Sequence, residues 1–127
     1  MTMDKLRKIT SVLRAELSRL LGDRLVGVYL YGSQARGDAK SDSEIDVLVV
    51  VGGAFDYFDL IEETGQMVAD LSLENDTLIV LAFVSEDDYQ NRHAPFLMNV
   101  RREAISLASA SEFYTTTEKF LTLEDES

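Results

Sequence analysis

Two groups of residues in this chain are of the types that hold phosphate and metal. Tyr31-Gly32-Ser33-Gln34-Ala35-Arg36-Gly37 places a glycine and a hydroxyl at a turn. After a short polar loop, Ser41-Asp42-Ser43-Glu44-Ile45-Asp46 carries two carboxylates, Glu44 and Asp46, into the apolar run Val47-Leu48-Val49-Val50-Val51. Glycine lets the chain turn without Cβ clashes, and backbone amides freed at the start of a helical turn donate to anions. Side chains alternate along a strand, so Glu44 and Asp46 emerge on one face while Ile45 and Val47 point to the other. Asp42 shares the first face if the strand reaches back that far. Carboxylates held this closely repel each other unless a cation bridges them, and Mg2+ prefers a few hard oxygens with water and substrate phosphates. The pattern predicts a nucleoside triphosphate held through magnesium, with Gly32 and Ser33 on the β- and γ-phosphates and Glu44 and Asp46 on the metal. Arg36 either neutralises further phosphate charge or makes a structural salt bridge.

The flanking elements must position these groups. From about Asp4 to Leu21, Leu6, Ile9, Leu13, Leu17 and Leu20 recur at spacings of three and four, the pattern of an amphipathic helix that Gly22 ends. Leu25 to Tyr31 reads as an internal strand, with Val26, Val28 and Leu30 alternating against Tyr29 and Tyr31. Ser33 is expected to cap a short helical turn beginning at Gln34. Ile45 to Val51 is a β-branched strand closed by Gly52-Gly53. Residues 55 to 71 read as a helix with acids in its early turns. Thr77 to Val84 is continuous in apolarity and is expected to be a central strand. Ser85 begins a Ser-x-x-Asp cap for a short helix, Pro95 opens another, and 104 to 108 supplies an edge strand. The economical architecture is one αβ unit over residues 1–108, followed by an acidic tail over 109–127 that is frayed or docks on a partner.

At 127 residues the chain fits one domain, and 46% apolar with 28% charged residues is ordinary for a globular protein. Its net charge of -11 argues against direct nucleic-acid binding, although Met1 to Arg24 holds six basic residues against three acids. Cysteine is absent, and no apolar run is long enough to cross a bilayer, so the expectation is a cytoplasmic protein without disulfides or thiolate metal sites.

Gly32-Ser33, ten intervening residues, then Glu44-Ile45-Asp46 resembles the G-S-x10-D-x-D signature of the nucleotidyltransferase superfamily related to DNA polymerase β. The fuller run from Gly32 to Val49 resembles its minimal, single-domain prokaryotic branch, the minimal nucleotidyltransferase family. That resemblance implies an α/β (α+β) fold with a central mixed sheet flanked by helices, magnesium as cofactor, and transfer of a nucleoside monophosphate, most often from ATP. It also implies an antitoxin role, in which the partner is a helical HEPN-domain ribonuclease toxin that is adenylylated on tyrosine. An alternative reading of the same fold is a catalytically impaired binding module that neutralises its partner by occlusion. A homo- or hetero-oligomer fits either reading.

Two positions depart from the family pattern. Glu44 stands where the family has Asp, and its extra methylene displaces the oxygens by about 1.5 Å. The third carboxylate that active members carry on a neighbouring strand has one candidate, Asp76, which fits equally well as a turn residue after Glu74-Asn75. His93, the sole histidine, is isolated in a loop-like stretch and makes neither a zinc site nor a triad. Ser33 lacks a base at recognisable spacing, which assigns it to phosphate contact and not to nucleophilic attack.

Overall fold

The computed structural model describes residues 2–37, 44–92 and 95–107. Helix α1 (Met3–Leu21) starts where the Thr2 hydroxyl accepts a hydrogen bond from the Lys5 amide, and it stops at Gly22, whose φ of 56° only glycine adopts freely. Its stripe of Leu6, Ile9, Leu13, Leu17 and Leu21 is buried on one side of a four-stranded mixed sheet.

The sheet is built from β1 (Leu25–Tyr31), β2 (Ile45–Val51), β3 (Ile79–Ser85) and β4 (Ile105–Ser106), in the order β3-β2-β1-β4. Strands β1 and β2 run antiparallel, β2 and β3 parallel, and β4 antiparallel to β1. Ile45, Val47, Val49 and Val51 of β2 enter the core under α1 and α3 (Tyr57–Glu74). Leu48 and Val50 pack on the other face against Leu97 and Val100 of α5 (Pro95–Glu103). Strand β2 is therefore covered on both faces and both edges, which is why five of its residues are hydrophobic without interruption.

The expectation of a central third strand is corrected. Strand β3 starts at Ile79, not Thr77, and lies at the sheet edge, paired among the described residues with β2 alone. Its apolarity reports two covered faces: Ile79, Leu81 and Phe83 face the α1/α3 core, and Ala82 and Val84 face the α5 cluster. Covering both faces does not require a neighbour on both edges.

Helix α3 starts two residues later than expected and runs to Glu74, with Asp56 accepting from the amides of Phe58 and Asp59. The Ser85 hydroxyl caps α4 (Glu86–Asn91) by accepting from the Asp88 amide at 3.1 Å, as the Ser-x-x-Asp pattern predicts. Helix α5 begins at Pro95, while β4 is shorter than the stretch 104–108. Asp42, His93 and the tail beyond 107 lie outside the described residues, and none of the described helices is long and apolar enough to cross a membrane.

Candidate functional site

Antiparallel pairing of β1 with β2 sets the last residue of β1 beside the first carboxyl-bearing residue of β2: Tyr31 is the cross-strand partner of Asp46. The chain then leaves β1 through Gly32 at φ 72° into α2 (Gly32–Arg36). A Cβ at Gly32 would lie 2.6 Å from Asp46 Oδ2, so the turn and the carboxylate are packed as closely as a glycine permits. Ser33 does not cap the turn as expected. Tyr31 occupies the cap position and Ser33 lies inside α2, its carbonyl accepting the Gly37 amide. The Ser33 hydroxyl is thus not consumed by capping. In the same turn the Gln34 side-chain nitrogen is buried with no hydrogen-bond partner among the described residues.

Asp46 is half-buried and Glu44, which precedes the first residue of β2, is exposed, while Ile45 and Val47 enter the core. Burial pushes the Asp46 carboxyl above the usual carboxylate range; the neighbouring Glu44 carboxyl adds to this, and the Arg36 cation offsets part of it. Carboxylates this close repel each other, which is the electrostatic situation a divalent cation relieves. Hard oxygens beside a glycine turn suit Mg2+, which takes one or two carboxylates and completes its shell with water and phosphate. Among the described residues no third Asp, Glu or His joins the pair into a metal-holding cluster.

Arg36 reaches Glu103 of α5, Nη1 to Oε2 at 3.9 Å, while remaining close enough to act on Asp46. Of the two roles expected of it, the salt bridge is present. Asp76 is not brought to the pair. It is an exposed turn residue at φ 49°, its amide bonded to the Leu73 carbonyl, and it precedes β3 by three positions. The parallel register sets Val80 beside Asp46 instead.

Several residues near the site were invisible to pattern reading. Phe96, half-exposed at the start of α5, meets the Tyr31 ring edge-on at 5.5 Å. Burial raises the Tyr31 phenol above its ordinary range, and the Asp46 charge acts in the same direction. Tyr29 stacks on Tyr89 of α4 at 4.9 Å, and burial pushes the Tyr89 phenol up to about 12. Arg101 donates to the carbonyls of Tyr89 and Arg92, tying α5 to the end of α4. The alternation of Tyr29 and Tyr31 was legible; their partners, more than fifty residues away in sequence, carried no local signal.

Residues 11–102 match the sequence profile of the nucleotidyltransferase domain family. The protein adenylyltransferase MntA of Thermococcus cleftensis is 39% identical over 49 residues, a stretch that covers 39% of this chain and 48% of that relative. The chain thus aligns with about half the length of this curated relative. A Sulfolobus solfataricus protein assigned as a nucleotidyltransferase has the same fold at TM-score 0.55 and 17% identity, over 82% of this chain and 83% of its own. A toxin-antitoxin structure determined with AMP-PNP matches at TM-score 0.54 and 16% identity, over 99% of this chain and 92% of that one.

Proposed function

The chain belongs to the nucleotidyltransferase domain family, and from that premise we propose that it is a magnesium-dependent adenylyltransferase that moves AMP from ATP onto a partner protein. The observation that carries this reading is the contact between Gly32 and Asp46, with Glu44 close enough to act on the Asp46 carboxyl. It joins an open turn to a carboxyl pair that has reason to recruit a cation.

In this reading the amides and the hydroxyl of Gly32 and Ser33 hold the β- and γ-phosphates, and Glu44 and Asp46 hold Mg2+. The bound ion supplies neutralisation of phosphate-oxygen charge. Arg36, braced by Glu103, adds positive charge beside the same oxygens. An acceptor hydroxyl oxygen bonds to the α-phosphorus and releases its proton to water as the bond to the bridging oxygen breaks and pyrophosphate leaves; positioning and charge neutralisation account for most of the acceleration such transfers need.

The MntA protein adenylyltransferase relative supports a protein acceptor, and the resemblance of the Gly32 to Val49 run to the minimal nucleotidyltransferase family makes that acceptor a HEPN-domain toxin and this chain its antitoxin. Labelled ATP, Mg2+ and the neighbouring gene product test the proposal directly: label should pass to the partner, and Glu44→Asp should transfer faster. Silence from both proteins would sink the catalytic claim.

The register favours a second reading. Val80, apolar, is the cross-strand neighbour of Asp46, which fits a binding module that neutralises its partner by occlusion. That version requires Asp46→Asn to keep protecting cells; a folded, binding-competent Asp46→Asn that no longer protects rules it out.

A further inference from the structure

The helical layer that covers the sheet face opposite Asp46 carries a groove of its own. It runs between α1 and α3 and encloses about 350 Å³, floored by Val12, Leu20, Met67 and Leu71. Val12 is 43% exposed on that floor, an apolar surface without a partner from the described chain. The walls are acidic. Glu16 is neutralised by Arg19 at 2.7 Å and Glu63 by Arg24 at 2.8 Å. Asp70 and Glu74, one helical turn apart at the far end, have no ion pair to any described residue. Asp70 accepts only an amide hydrogen bond from Gln66, at 2.8 Å.

We infer that this groove docks a basic amphipathic helix of a partner protein, its apolar stripe on Val12 and Met67 and its cations facing Asp70 and Glu74. An apolar floor between two helices is the geometry in which a third helix seats, at anchors spaced three and four residues apart. Charge complementarity selects the occupant: the negative wall disfavours an acidic segment and rewards a cationic one. The inference is independent of the transfer chemistry, since it uses neither Gly32 nor the carboxyl pair.

The test uses the full chain and a fluorescein-labelled Leu/Lys peptide of about 18 residues, patterned as an amphipathic helix, read by anisotropy. Three variants are compared. Asp70→Lys/Glu74→Lys should weaken binding by at least about tenfold. Glu86→Lys/Asp87→Lys, which makes the same charge change on exposed positions of α4, should weaken it by less than about twofold. Val12→Gln, neutral and exposed, should weaken it by about fivefold through loss of the apolar contact. Equal losses from the two charge reversals would mean adsorption to a generally negative surface and would overturn the inference, as would no binding by the parent chain. Sedimentation that finds a dimer dissociated by Asp70→Lys/Glu74→Lys would also overturn it, because a second copy would then fill the groove.

Discussion

Gly32 and Asp46 touch across the β1–β2 pair: a methyl group on Gly32 would meet Asp46 Oδ2 at 2.6 Å. The turn that is proposed to seat phosphate and the carboxylate that is proposed to seat metal are thus one packed unit, and neither can move without the other.

Gly32→Ala tests that coupling against a matched control. Gly53 has nearly the same φ, 74° against 72°, but a Cβ there meets nothing within 4 Å. Each alanine pays the left-handed backbone cost of about 1–2 kcal/mol, so both variants should melt earlier by a similar amount. Gly32→Ala alone should lose transfer, on the order of 100-fold for a displaced carboxylate. Equal activity in the two variants would show the contact to be unimportant.

Val80 is the cross-strand neighbour of Asp46, and Asp76 is a turn residue remote from that register. Val80→Asp should raise magnesium-dependent AMP transfer by at least about tenfold, within the range that a positioned acid-base group contributes. Asp76→Asn should leave the rate within about twofold. The reverse result, a loss in Asp76→Asn and no gain in Val80→Asp, would return Asp76 to the site.

The Tyr89 phenol, stacked on Tyr29 and raised to about 12 by burial, makes the fold sensitive to alkali. Its folded value lies above the unfolded value of about 10. The associated stability is therefore complete below pH 10 and is lost as the pH rises through 12. Spectroscopic titration should show a tyrosine ionising near pH 12, and Tyr89→Phe should remove both that transition and its share of the alkaline unfolding, leaving the raised Tyr31 phenol in place.

Leu13 of α1 is fully buried and Leu73 of α3 is 82% exposed. Leu13→Ala should cost about 2–5 kcal/mol in denaturant unfolding, from lost transfer energy and the cavity left behind. Leu73→Ala should stay within about 0.5 kcal/mol. A large loss at Leu73 would indicate that this surface is covered in solution.

Strands β1 and β2 have the bounds that alternation and β-branching predicted, the caps at Gly22 and Ser85 fall where side-chain chemistry required, and Pro95 opens α5. These features are local: whether a pleat turns Glu44 and Asp46 to one face depends on a period of two residues and on nothing farther along the chain. The partners of those residues are not local. That β3 takes the sheet edge, that Val80 and not Asp76 lies beside Asp46, and that Gly32 closes on the carboxylate all follow from parallel and antiparallel pairing between distant segments. Pairing of that kind is decided by how the helices cover both faces of the sheet, since apolar strands satisfy an edge and a centre equally well until packing chooses between them.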